Sequence, residues 1–191
     1  GFLQHNRAQS ASNSDITVTD NGDIIFPLCS DLISCCRILG LDVTEVFPSC
    51  AEIMRGLIVM HGVWSVESGT YILTPSRPIV IGDLQSSRGV NEPALHMLGS
   101  GRIICVIRGS NQISASWNTR IEPGTPGYKW FTFSDDGGIT WTEAVPWHYD
   151  NGEVFYSSSS IHRFLRSSRD GKLYWFGNIS GSEVRGNHPR Y

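Results

Sequence analysis

The sequence predicts an all-β protein assembled from antiparallel hairpins, and three observations carry that expectation. Three segments, at 15–27, 94–108 and 161–176, share one form: an apolar-alternating strand, a polar turn closing on Gly22, Gly101 or Gly171, then a strongly apolar strand. A fourth hairpin is marked by Asp135-Asp136-Gly137-Gly138, short polar and positive-φ residues set between runs of aromatic and β-branched side chains. The composition agrees, with 20 Gly and 6 Trp in a chain that has few long helical patterns.

Taken in order, the first hairpin turns at Gly22 and leads into a strand ending near Pro27. Between Leu32 and Arg55 the pattern is irregular, with a possible short helix over Cys50–Arg55. Val63–Ile72 reads as the second hairpin of the first unit and a decayed version of that Asp-rich turn, keeping Ser65, Glu67, Gly69, Thr70 and Tyr71 but one residue short before Tyr71. The middle of the chain then predicts strands near 93–98, 102–108, 127–134 and 140–148, a four-stranded antiparallel unit of the kind that forms one blade of a β-propeller. The turn glycines are 101 − 22 = 79 and 171 − 101 = 70 residues apart, more than the ~40–50 of compact propeller repeats, so insertions are expected between hairpins. The reading is two full blades, 9–83 and 88–150, and half of a third, 154–191, within one partial domain spanning 1–191. A ring needs about four to eight blades to close, so the chain is expected to be a piece of a longer protein. Gly1 in place of Met, and Tyr191 directly after Pro189-Arg190, which looks like the start of another strand, point the same way.

Composition narrows the function classes. With 17% charged residues and a net charge of -3 there is no basic stripe to follow a nucleic-acid backbone. No run of 18 apolar residues encodes a membrane span. Five cysteines, an odd number with Cys35 and Cys36 adjacent, form neither a disulfide framework nor a zinc spacing, and Cys105 reads as a small buried hydrophobe. The six histidines show no metal spacing, so neither metal nor organic cofactor is expected. Ser157–Ser160 lacks a Gly-x-Ser-x-Gly elbow and reads as the start of an inner strand lining a channel. Asn178-Ile179-Ser180 is a single glycosylation triplet of low information.

Two stretches carry more. In Ser134-Asp135-Asp136-Gly137-Gly138-Ile139-Thr140-Trp141, the Ser134 and Asp136 side chains can bond turn N–H groups, Gly138 can take positive φ, and Trp141 can lay its ring under the turn. With Ser134, Asp136, Gly138, Thr140 and Trp141 in place, this resembles the S-x-D-x-G-x-T-W Asp box of the sialidase-like β-propellers. There the box is a structural hairpin at the blade periphery, away from the active site. Asn91-Glu92-Pro93-Ala94-Leu95 through Gly101-Arg102-Ile103 to Arg108 is similar to the bacterial exo-sialidase stretch N-E-P-x-x-x-x-L-x-x-G-R-L-x-x-x-x-R, with 108 − 92 = 16 residues from Glu to Arg. A weaker likeness joins Ser10–Pro27 to the G-x-G-I-x-L-x-N-G-x-L-V-x-P hairpin that precedes it in sialidases, without the first glycines.

The resemblance implies a six-bladed parent that removes terminal sialic acid or a related acidic sugar from glycans by a retaining mechanism with a tyrosine nucleophile. It implies that Glu92 assists that tyrosine, that Arg108 binds the sugar carboxylate, that Asn91 lies among the substrate-binding residues and that Arg190 supplies a further arginine. It implies sialylated or other acidic glycans as partners and a secreted or periplasmic parent. No F/Y-R-I-P motif is present, so the first arginine and the aspartate acid/base have no matching positions, and the tyrosine is expected past residue 191. A non-catalytic Asp-box propeller that binds glycans or proteins is the alternative, since a fold does not fix a function.

Overall fold

The computed structural model describes residues 9–10, 16–50, 52–113, 120–184 and 186. Across them the chain is antiparallel β structure with two short helices. In the first sheet β2 (Thr17–Val18) pairs with β3 (Ile24–Asp31), β3 with β4 (Arg55–Ser65) and β4 with β5 (Thr70–Pro75). A two-residue strand, β1 (Gln9–Ser10), lies against the far end of β3. The second sheet runs in order β6 (Asn91–Met97), β7 (Ile103–Arg108), β8 (Lys129–Ser134), β9 (Val145–Pro146). The third is the hairpin of β10 (Arg163–Arg166) and β11 (Leu173–Phe176). No helix among the described residues is long and apolar enough to cross a membrane.

The all-β expectation holds, and so do its four turns: Gly22, Gly101, Gly138 and Gly171 all have φ between 71° and 92°. The Val63–Ile72 hairpin also forms, as the β4–β5 turn, with Trp64 and Tyr71 edge to face at 5.2 Å. Two expectations are corrected. No helix forms over the described residues 52–55: residues 52 and 53 form a turn and Arg55 opens β4, with the carbonyl of buried Met54 accepting a hydrogen bond from Leu32 N at 2.9 Å. The helices lie earlier, as α1 (Leu32–Leu39) and α2 (Val43–Val46). Asp31 caps α1 by accepting from Ser34 N at 2.7 Å, and Gly40 closes it in the left-handed region. The expected strand over 140–148 shrinks to Val145–Pro146: Thr140 N is taken by the Asp136 carboxylate, and although Thr142 N still donates to Phe133 O at 2.9 Å, Phe133 N donates to the Thr142 hydroxyl and Thr142 O accepts from the Thr132 hydroxyl, so side chains replace the ladder there.

Period-2 alternation explains the packing. Ile25 and Cys29 of β3 and Leu57 and Val59 of β4 face one way, into a core shared with Leu95, Ile103, Cys105, Ile107 and Trp130 of the second sheet. Leu28, Ile58 and Met60 face the other way and are covered by Leu32, Cys35 and Cys36 of α1. The first two sheets therefore stack face to face over one core, and Cys105 is the buried hydrophobe expected of it.

The chain crosses between these sheets at Ser86–Val90. Arg55 pairs in parallel with Gly89, Arg55 N donates to Arg88 O at 3.1 Å, and Val90 N donates to Arg55 O at 3.2 Å. Gly89 has φ 67°, and a Cβ there would sit 2.3 Å from Arg55 O, so no other residue fits without moving β4. Gly89→Ala is expected to destabilise the protein by about 2–4 kcal/mol, read from the urea midpoint, since it combines left-handed strain with overpacking.

Candidate functional site

The Asp-rich hairpin is assembled by its own side chains. Asp136 Oδ1 accepts from Ser134 Oγ at 2.9 Å, Ile139 N at 3.1 Å and Thr140 N at 2.9 Å, while Oδ2 accepts from Thr140 Oγ1 at 2.5 Å. Gly138 N donates to Ser134 Oγ at 2.8 Å, and Trp141 Nε1 donates to Gly138 O at 3.0 Å. A Cβ on Gly138, at φ 92°, would meet Ile25 and Val59 at 3.4 Å, so the turn comes close to the core face of the first sheet. By contrast, in the β4–β5 turn Ser65 Oγ accepts from Ser68 N at 3.3 Å and Gly69 N donates to Ser65 O at 2.9 Å, an ordinary backbone turn.

The second constellation sits at the opposite end of β8. Ser134 pairs with Ile103, whereas Lys129 pairs with Arg108, so five strand steps separate the two ends by roughly 17 Å. Here β6 carries a bulge: Asn91 pairs with Arg108 and Ala94 with Val106, leaving Glu92 and Pro93 opposite Ile107 alone. Pro93 has no N–H to lose from the ladder. Glu92 takes φ 44°, the only non-glycine positive φ among the described residues, a strain of about 1–3 kcal/mol that the surroundings must hold in place. What holds it is an ion pair, Arg108 Nη1 to Glu92 Oε1 at 2.7 Å. Glu92 Oε2 is buried with no hydrogen-bond partner among the described residues.

More positive groups gather here than the sequence reading picked out. Arg55 opens β4 and Arg88 precedes β6; burial, then the charges of Arg55 and Arg108, pull the Arg88 guanidinium below its ordinary range. Lys129 opens β8 and is 0% exposed. Its Nζ donates to Ser158 O at 3.1 Å and to Ser160 O. Burial, followed by the charge of Arg108, pushes it down to about 7, with Glu92 pulling the other way. Ser157–Ser160 are all buried beneath it; they are a packed polar floor and not an open channel lining, and their strand pairing is limited to the Tyr156–Ser180 bridge next to them. Asn178 Nδ2 donates to Ser158 Oγ at 3.3 Å and Ser160 Oγ at 3.0 Å, so the amide of the glycosylation triplet is occupied inside that floor. His162, also buried, donates from Nε2 to Val106 O at 2.9 Å; burial, with the Lys129 charge second, pushes it down to about 3.

The structure thus brings Asn91, Glu92 and Arg108 together and keeps Ser134, Asp136, Gly138, Thr140 and Trp141 apart from them. Arg190 lies outside the described residues. Lys129 was detectable as the one cation in the aromatic strand Tyr128–Phe133, and Arg88 by its place four residues before Glu92; nothing local marks Arg55, which arrives through the long-range bridge to Gly89. A cleft of about 590 Å³ lies elsewhere, at the Met97 end of β6 against β2 and β10. Among the described residues no cluster of three or more His, Cys, Asp or Glu is placed to hold a metal ion.

Two outcomes follow from this geometry. Asp136→Ala removes an acceptor that serves four donors at a mostly exposed turn, and is expected to lower stability by about 1–3 kcal/mol in chemical denaturation. The Glu92–Arg108 pair, at the other end of the strand, should persist in its crystal structure. His162 is neutral when folded and titrates near 6.5 when unfolded, so the unfolded chain binds more protons between those values. Stability is therefore present above pH 6.5 and falls by about 1.4 kcal/mol per unit as the pH drops from 6.5 toward 3. A His162→Gln variant that keeps the fold should lose that acid sensitivity in thermal melts at pH 4 and pH 7.

No protein-family model matches the chain, and no curated protein matches it. Among solved structures, a protein of unknown function from Dyadobacter fermentans is similar over 88% of this chain and 46% of its own, at 18% identity and a TM-score of 0.47. The chain therefore spans less than half the length of that protein.

Proposed function

We propose that this chain is part of a sialidase-like β-propeller, with the first two sheets as stacked blades, whose parent releases terminal sialic acid or a related acidic sugar from glycans. The observation that carries the reading is the Glu92–Arg108 pair at 2.7 Å, held across a strained bulge at the end of the sheet where further cations gather. A sugar carboxylate competes with Glu92 for the guanidinium fork of Arg108, and Arg55, Arg88 and Lys129 favour an anion there. A Glu92 released from Arg108 in this way has a carboxylate free to accept a proton from a phenol, the role that the resemblance to exo-sialidases gives it. The Asp136-centred turn supports the fold side of the reading, since Ser134 and Asp136 bond the turn N–H groups of Gly138, Ile139 and Thr140.

The test is binding of N-acetylneuraminic acid against its methyl ester by titration calorimetry or NMR. The acid should bind and the ester should not, and Arg108→Lys should weaken the acid about tenfold or more while sparing the fold, because a point charge cannot replace a bidentate fork. Equal binding of acid and ester, or an Arg108→Lys variant indistinguishable from the parent, would sink the proposal. Glu92→Gln should leave binding within a few-fold and lower the turnover of a fluorogenic sialoside by the catalytic protein. Binding that is intact with no turnover would instead favour the glycan-binding module.

A further inference from the structure

Lys129 is placed where a structural strand residue would be hydrophobic. Its neighbours along β8 are Trp130, Phe131 and Phe133, its side chain is fully buried, and its Nζ is spent on two backbone carbonyls, those of Ser158 and Ser160. Those carbonyls belong to the floor that Asn178 also braces, and that floor leads directly into His162 and β10. Through its own backbone Lys129 is the register partner of Arg108, which in turn pairs with Asn91 across the bulge that sets Glu92. One ammonium therefore joins the third sheet's approach segment to the strand end that presents Arg108.

We propose that Lys129 is a positioning residue and proton-linked latch: its ammonium clamps the Ser158–Ser160 backbone behind the Glu92–Arg108 pair, and loss of its proton loosens that clamp and weakens anion binding at the pair. The proposal rests on the carboxylate-binding reading of that site and adds its regulation. A buried amine that gains or loses its charge changes two charge-assisted hydrogen bonds into neutral ones, about half as strong, and removes one positive charge from behind Arg108. The groups that face it are Arg108 from β7, which disfavours the charged form, Glu92 from the β6 bulge, which favours it, and His162 from the segment before β10, which is neutral and hydrogen bonded to Val106 O. With burial the dominant influence, these leave Lys129 poised near neutrality, charged below about 7 and neutral above. An anion bound at Arg108 favours the ammonium, so by linkage binding must take up part of a proton when the medium is slightly alkaline.

The chain makes the test direct, since Lys129 and Lys172 are its only lysines and Lys172 is exposed. In protein labelled with ¹³C,¹⁵N-lysine, the side-chain signal of Lys129, assigned by its contacts to Ser158 and Ser160, should titrate at about 7. The amide shifts of Ser158, Ser160 and Arg108 should follow that midpoint. Glu92→Gln, at a half-buried position, should move the Lys129 midpoint further down. N-acetylneuraminic acid, whose carboxylate does not titrate in this range, should bind about three- to tenfold more weakly at pH 8.5 than at pH 6, and Lys129→Met should flatten that profile at the weak level. A Lys129 signal that titrates above 9, or a low midpoint that the serine amides ignore, would overturn the latch even if Lys129→Met fails to fold. Absence of sialic acid binding at every pH would overturn the carboxylate site and its linkage, whereas pH-independent binding would overturn the linkage alone.

Discussion

Burial of β7 on both faces is the constraint that organises the molecule. Ile103, Cys105 and Ile107 point into the core shared with β3 and β4, while Ile104 and Val106 are buried on the other side, where His162 bonds the Val106 carbonyl. A strand buried on both faces can carry a charge only where it leaves the core, and Arg108 is its last residue. The neighbouring strands start or stop at the same level: β4 opens with Arg55, β6 with Asn91 and Glu92, β8 with Lys129. A polar site at this end of the stack is thus a consequence of where the hydrophobic layers finish.

The far end of the same sheet solves a different problem. There the chain must reverse between β8 and β9 without spare ladder partners, and Asp136 satisfies the turn's N–H groups with one carboxylate. The turn comes close to Ile25 and Val59 at Gly138, where φ is 92° and a side chain would be strained in the left-handed region. Arg102 grips Asp135 with two bonds, at 2.6 and 2.8 Å, and lies over the Phe133 ring, but all of this is exposed and adds little beyond holding the turn's orientation. The division is a locally self-sufficient turn at one end and a strained, charge-dense bulge at the other.

At the bulge, electrostatics and backbone strain act on each other. Glu92 in the left-handed region is unfavourable by itself, and its ion pair with half-buried Arg108 is what makes the conformation worth keeping. Because Arg55, Arg88 and Lys129 stand close by, removal of the Glu92 charge would leave several cations facing one another in a poorly solvated place. On the proposed reading the same surplus of positive charge would draw an anionic ligand, so the features that strain the site are also those that would serve binding.

Features set by residues close in sequence were legible in the chain alone. The four glycine turns, the Asp136 hairpin, the first three strands of the second sheet and the sixteen-residue step from Glu92 to Arg108 all follow from local turn chemistry and period-2 alternation. Even α1 had its signals, with Asp31 as cap, Gly40 as stop and Leu32, Cys35 and Cys36 at helical spacing, though eight residues mixed with cysteines are easily read as irregular strand. What tertiary structure alone decided is which charges meet. Arg55 reaches the site because its backbone bridges Gly89, and Lys129 loses its water because Ser157–Ser160 fold over it from some thirty residues away. Burial and charge proximity are properties of space between distant segments, and no local pattern in the sequence encodes them.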